Sequence, residues 1–426
     1  MPGVTMDAHG SGRGLRLSPL RGLRYVPERI SGLAQVTSPP YDVLDTDSVL
    51  ALESSDPHNV VRLILPREEE SGPEGRYEHA ARALHAWMAE GILRPDVAAG
   101  LYLYEQSRGS AVLQRGLIGA LALRDPGERV VLPHEDVMAG PVTDRLALMR
   151  AARANVEPIL LMYDGKDGAA AEVIARTAAL PPLITATGPD QLTHSLWQMS
   201  DPVDLEAVSA DLHDRQALIA DGHHRYAAYR RLQSELRDLD GPGPWDEGLA
   251  LLVDLRAYPP QVGAIHRSVD GLELADALVA ADPLFDRVDV AAEAVDDRLS
   301  SLSSGEMLLV DANGAATLTA RDPDGLARIV TERNPSAWGR LDTAVLHTVL
   351  LERTWHVQDA AIGYHHEPGQ ALAYARKHGA LAVLLAPVDV QRVLDIAAQG
   401  VRMPRKSTSF GPKPRTGFVL RSFDLI

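Results

Sequence analysis

Apolar and polar positions alternate along this chain in two rhythms, and both recur over most of its length. Between 77 and 90 the apolar residues fall at 80, 81, 84, 87 and 88, one face of a helix, and Gly91 supplies the stop. The stretches 101–105 and 116–123 read as strands, an antiparallel pair if Arg108-Gly109-Ser110 is the turn. Further buried strands are expected at 59–65, 157–163, 216–220 and 248–255, with helices at 168–178, from His223 to Leu236, and on the segment carrying Asp144 and Arg145. Beyond His266-Arg267 helices (272–281, 291–301, 368–378, 389–400) alternate with strands (306–311, 315–320, 381–387, 416–422). Asp389 suits an N-cap and Gly400 a C-terminal stop. Residues 68–75 read as a charged exposed loop, and Gly241-Pro242-Gly243-Pro244 as a break.

The expected class is therefore mixed, α/β or α+β. At 426 residues two or three domains are expected. We divide the chain into a flexible tail at 1–15, an N-terminal α/β domain at 16–268 and a C-terminal α/β region at 269–426, whose last part, 401–426, returns to the active site.

Composition narrows the function. No apolar run reaches the length of a membrane span, and no signal-peptide core follows the early arginines, so a cytoplasmic protein is expected. The absence of cysteine excludes disulfides, thiolate catalysis and iron–sulfur clusters. A net charge of −16 argues against general affinity for nucleic acid. Only four lysines occur, at 166, 377, 406 and 413, and two of them share one short basic segment.

The densest chemistry lies at Asp221-Gly222-His223-His224-Arg225, where a strand runs directly into a helix. A helix N-terminus attracts anions, Gly222 lets a ligand approach the backbone, and Arg225 offers a fork for phosphate oxygens. Asp221 could hold magnesium or take a proton, and His223 or His224 could act as acid or base. The plainer alternative has Asp221 capping the helix, one histidine packing and Arg225 on the surface. A second segment, 403–417, joins Lys406 and Lys413 to the hydroxyls of Ser407 and Thr408, a setting for phosphate or carboxylate or simply a basic loop. Pro133-His134-Glu135 could supply a base and a metal carboxylate, or a cap. His266-Arg267 repeats the His-Arg pairing. His365-His366-Glu367 looks like a metal site, but adjacent histidines on a strand face opposite ways and rarely bind one ion together, and the pair is expected to lie in a loop.

Taken in order, Ser38-Pro39-Pro40-Tyr41-Asp42-Val43, Asn59-Val60-Val61-Arg62-Leu63, Pro133-His134-Glu135, Asp144-Arg145-Leu146, 220–226, Ile265-His266-Arg267 and 403–417 resemble the bacterial domain of unknown function 1015 family, from about residue 18 onward. The Asp-Gly-His-His-Arg box is similar to the phosphate-binding box of the ParB/sulfiredoxin-like group, which includes an ADP-dependent kinase acting on free serine. The resemblance implies a ParB/sulfiredoxin-like core with an additional α/β region, and a nucleotide or phosphoester at 221–225, with magnesium. Sulfiredoxin chemistry is excluded for want of its cysteine. The function expected is phosphoryl transfer on a small hydroxylated metabolite, serine or phosphoserine, with ADP or ATP as co-substrate. A nucleotide-dependent DNA-binding protein and a non-catalytic sensor are the alternatives.

In that reading Asp221, His223, His224, Arg225, His134 and Glu135 are catalytic. Gly222, Lys406, Ser407, Thr408, Lys413, Arg145, His266 and Arg267 bind phosphate or substrate, Arg62 and Asp42 read a carboxylate and an amine, and Asp221 or Glu135 holds the metal.

Overall fold

The computed structural model describes residues 14–67 and 72–425. The expected tail at 1–15 thus falls almost wholly outside the described residues, as does the first half of the loop expected at 68–75. The second half of that loop is helical, because the helix begins at Gly72 and runs to Ala89. The chain forms two compact units. One comprises the residues up to Leu132, Val137–Pro259 and those from Pro412 on; the other comprises Pro133–Asp136 and Pro260–Gly411.

The first unit is built on a nine-stranded mixed sheet. Its inner strands, Ile159–Tyr163, Ala217–Asp221 and Glu247–Asp254, are buried almost throughout, which is why they read as unbroken apolar runs. Ile159–Tyr163 runs parallel to Glu247–Asp254 and antiparallel to Ala217–Asp221. The hairpin Leu101–Arg108 to Ala111–Ala122 turns where expected, with Gly109 at φ 58°. The helices Gly72–Ala89, Ala139–Ala152 and His223–Asp240 pack in series.

Two expectations fail in this unit. The stretch 59–65 is no strand: Val61–Ile64 is a short helix. Asn59 turns the chain there, its Oδ1 accepting from the Val61 N–H at 2.9 Å and its Nδ2 donating to the Gln35 carbonyl at 2.6 Å. Burial of Val60, Val61, Leu63 and Ile64 on every side erased the period that separates helix from strand. The strand expected at 416–422 shrinks to Arg421–Ser422, with single bridges at Thr416 and Leu420. Gly417, at φ 104°, interrupts the run.

The second unit carries a six-stranded sheet in the order Phe285–Val290, Ala315–Ala320, Glu306–Val310, Leu381–Leu385, His266–Val269, Ile362–His365. Every neighbouring pair is antiparallel. Helix Pro368–His378 lays Ala371 and Ala375 against Leu308 and Leu384. Asp389 caps helix Val390–Ala398, accepting from the Gln391 N–H at 2.7 Å, and Gly400 follows at φ 72°. The segment Asp342–Thr354, an α-turn continuing as a wide π-helix, carries no period that would have announced it. Such wide turns collect at functional sites.

Candidate functional site

In the first unit the strand Ala217–Asp221 ends on a carboxylate and the helix His223–Asp240 starts two residues later. Gly222 makes the corner at φ 93°, where a side chain is strained. A Cβ there would also meet Cγ2 of Ile159 at 2.7 Å. Gly222→Ala is therefore expected to cost about 2 kcal/mol or more in urea unfolding. An unchanged midpoint would refute the corner's role.

Gly222 holds the N-cap position, and Asp221 before it is an ion-pair centre. Its Oδ1 lies 2.7 Å from Lys413 Nζ and its Oδ2 accepts from Arg225 at 2.5 Å. Lys413 also reaches Asp42 Oδ2 at 2.9 Å. Arg225 is buried, not on the surface, and donates a second bond to the Pro158 carbonyl. Burial alone would depress the Arg225 guanidinium, but the carboxylates of Glu157, Asp221 and Asp42 prevail and raise its pKa. Lys413 is raised in the same way, desolvation being outweighed by Asp221 and Asp42.

The network continues outward. Glu157, fully buried, lies 3.5 Å from Arg145 and accepts from the Tyr41 N–H at 3.1 Å. Burial pushes its carboxyl up, against the pull of Arg225 and Arg145. Tyr41 lies under the Arg145 guanidinium at 4.2 Å. Arg145 holds Asp144 with two bonds, of 2.8 and 2.6 Å. His224 Nε2 accepts from the Met138 N–H at 3.0 Å, while His223 is buried. Arg62 is engaged elsewhere, on the Glu53 carbonyl.

Of the two expected magnesium ligands, Asp221 has both oxygens held by cations and Glu135 accepts from the Lys406 N–H, and no group of three or more metal-binding side chains occurs among the described residues. Asp42 Oδ1, however, is buried without a hydrogen-bond partner, and a cation would satisfy it.

In the second unit a different group assembles. Glu135 Oε1 accepts from the Lys406 N–H, and burial pushes its carboxyl up to about 7 despite Lys406 and Arg267 nearby. Lys406 sits at φ 54°, a strained position for a lysine. No carboxylate among the described residues lies within ion-pair distance of its ammonium. Arg267 is wholly buried; burial pulls it down to about 10, and it donates to the Lys406 carbonyl at 2.9 Å and to His347 Nε2 at 3.1 Å. Its guanidinium lies 4.8 Å from the Tyr364 ring centre.

Three histidines meet hydroxyls here: His134 with Thr408 at 3.0 Å, His365 with Ser268 at 2.9 Å and His366 with Ser409 at 3.0 Å. Ser407 donates to the Pro404 carbonyl. The hydroxyls expected to orient phosphate are thus buried and already bonded. His365 ends the strand Ile362–His365 instead of lying in a loop.

His266, opposite His365 in the sheet, accepts from the Leu385 N–H at 3.2 Å. Burial, with Arg267, His365 and His366 adding to it, holds it down to about 4. The unfolded chain therefore binds the proton first as pH falls below about 6.5, so stability is lost from there to about 4, by about 3 kcal/mol for this residue. His266→Asn, which keeps an acceptor for Leu385, is expected to flatten that part of the stability curve in urea titrations from pH 7 to 4. An unaltered slope would refute it.

Fifteen of the sixteen expected site residues group with others of their own unit, Arg62 being the exception. Asp42, Arg145, Asp221, Gly222, Arg225 and Lys413 share one network in the first unit, with His223 and His224 on the adjoining helix turn. His134, Glu135, His266, Arg267, Lys406, Ser407 and Thr408 gather in the second. Sequence reasoning missed Glu157, although a carboxylate opening an apolar strand was a usable signal. It also missed His347, whose segment gave none.

Among the described residues no helix is long and apolar enough to cross a membrane. No curated protein matches the sequence. Among solved structures, a conserved hypothetical protein from Pyrococcus furiosus aligns at 12% identity and TM-score 0.35, over 70% of this chain and 94% of that one. SbnI with C-terminal truncation, from Staphylococcus aureus, aligns at 8% and 0.37, over 71% and 85%. A mutant free serine kinase in complex with ADP aligns at 13% and 0.34, over 70% and 91%. At such TM-scores these likenesses carry no functional weight. The sequence matches the family described as "Protein of unknown function (DUF1015)" over residues 17–344, well over half its length, and the chain belongs to that family.

Proposed function

We propose that the protein is a phosphoryl-transfer enzyme acting on a small hydroxylated metabolite, with serine or phosphoserine as the first candidate. The observation that carries this reading is Glu135, a half-buried carboxyl pushed up to about 7 by desolvation, whose Oε1 accepts from the N–H of Lys406, a lysine that makes no salt bridge among the described residues. A base tuned to neutral pH can take the proton of an attacking hydroxyl, which a binding protein has no need to do. An ammonium outside any salt bridge among the described residues suits the charge of a transferred phosphoryl group. Lys406 is held in a strained backbone conformation by bonds at both ends of its peptide, to Glu135 and to Arg267, which preorganises it.

In the first unit, taken by itself, the Asp221–Arg225 box with Lys413 is a candidate site for a nucleotide or phosphoester. Lys413 and Arg225 spend part of their donors on Asp221, and a phosphate would compete for them. The position of the box at a strand-to-helix corner supports a ParB/sulfiredoxin-like core for the large sheet. Asp42 is the carboxylate we assign to magnesium, which would neutralise phosphate charge when bound. His223 or His224 remains the candidate proton relay on that helix, and a cytoplasmic location is assumed.

A phosphorus NMR time course tests the reading. The protein is mixed with magnesium and, in turn, phosphoserine with ADP, phosphoserine alone, and serine with ATP or ADP. Donor-dependent movement of phosphate, lost in Lys406→Ala, is the expected result. Free phosphate without nucleotide would make the enzyme a phosphatase, and no turnover in any mixture would overturn the assignment in favour of a sensor.

A further inference from the structure

Within the first unit, away from the Asp221 network, lies a cavity of about 1040 Å³. That is the upper end of the range for small-molecule sites. Five arginines line it, Arg16, Arg21, Arg124, Arg237 and Arg421, against two carboxylates, Asp246 and Glu247. In a chain with net charge −16, the lining carries three more positive than negative groups, five minus two. Glu128, 3.5 Å from Arg124 but outside the lining, reduces the excess to two.

Inside the cavity the two carboxylates are shared among three of the five arginines. Glu247 serves two arginines at once, Arg16 at 3.2 Å and Arg421 at 3.6 Å. Asp246 is taken by Arg237. Arg21 donates to a carbonyl, that of Asp96, and makes no salt bridge among the described residues. Arg421 is buried, shares its Glu247 carboxylate with Arg16, and directs its hydrogen bonds to neutral oxygens, the Pro244 carbonyl at 2.7 Å, the Glu247 carbonyl at 3.1 Å and Asn155 Oδ1 at 3.3 Å. Burying a guanidinium against carbonyls is costly unless an anion repays it.

The wall itself is stiff. Pro242, Gly243 and Pro244 form one side, and a Cβ at Gly243 would collide with the Trp245 ring at 2.5 Å. Leu20, Leu123 and Leu425 give the cavity an apolar floor.

We propose that this cavity is a second ligand site, for a small phosphate-bearing anion with an apolar or aromatic body, of the size of a nucleotide. Guanidinium forks match phosphate oxygens in pairs, and the apolar floor accepts the rest of the molecule. Its lining shares no residue with either group described above, and the proposal does not depend on their chemistry.

The test is calorimetric titration of the full chain, without metal, by three probes: ADP, inorganic pyrophosphate and citrate. ADP and pyrophosphate are expected to bind, and Arg21→Glu to weaken the binding at least tenfold. Lys413→Met and Lys406→Ala, which act at the other groups, should leave this binding in place. Because Arg21 is part-exposed and outside any salt bridge among the described residues, its substitution should not disturb folding, which circular dichroism checks. Stronger binding of ADP than of pyrophosphate supports a role for the apolar floor. Citrate as tight as ADP, binding indifferent to Arg21→Glu, or no binding of any probe at millimolar concentration would each overturn the proposal.

Discussion

Glu135→Gln is expected to remove turnover and, above pH 7, to make the protein more stable. Both effects have one cause. Burial raises the Glu135 carboxyl to about 7, so the folded protein holds that proton more tightly than the unfolded chain, where the group titrates near 4.5. The benefit of the proton is complete below about 4.5 and is lost as pH rises through 7. Above that the native state carries a poorly solvated carboxylate, at a cost of about 2 kcal/mol once partial exposure is allowed for. Glutamine keeps an oxygen for the Lys406 N–H and cannot ionise, so the penalty disappears. Urea unfolding should show the variant about 2 kcal/mol more stable at pH 8 and no different at pH 4. Loss of the general base should lower the phosphoryl-transfer rate by about 10²–10⁴-fold. If the variant keeps its activity, Glu135 is no base; if it is not stabilised at pH 8, the carboxyl is not raised.

A residue that costs stability where it sits is hard to see in a sequence, and the two units show why. The box at 221–225 was legible because its parts are contiguous: a buried strand, a glycine and a helix start occupy five residues, and local rules suffice. Its partners were only half legible. Lys413 stood out by rarity, but its two carboxylates, Asp42 and Asp221, lie 371 and 192 positions away along the chain (413 − 42 and 413 − 221), and no local pattern joins them. Arg225 was read as free for phosphate when it is buried among carbonyl and carboxylate oxygens, since burial depends on what packs over the helix. The helix 61–64 was misread for a related reason: a segment buried on every side has no polar face to declare its period. The second group was the least legible. Glu135 and Lys406 meet through a backbone bond between segments 271 residues apart, and His347 comes in on a wide helix without a periodic signal.

Arg225→Met is expected to be the most destabilising single substitution in the first unit, costing about 3 kcal/mol at pH 7–8. Methionine fills a comparable space, so the loss would come from charge. Without the guanidinium, Asp221 keeps Lys413 and Glu157 keeps Arg145 at 3.5 Å, but two buried carboxylates have then lost their shared cation. Removing one partner of a buried pair typically costs about 3–5 kcal/mol, and the surviving partners place this site at the lower end. The electrostatic origin has a signature in pH. Glu157 is already raised by burial, and without Arg225 its carboxyl would rise further. It would then take up a proton on mild acidification, and the deficit of Arg225→Met should shrink between pH 8 and 5. The second substitution Glu157→Gln should recover part of the loss, giving a favourable coupling in a double-mutant cycle. Equal deficits at pH 8 and 5, with no recovery from Glu157→Gln, would mean that Arg225 serves by packing and by its bond to Pro158. The ion-pair network would then not be what holds the Asp221 corner in place.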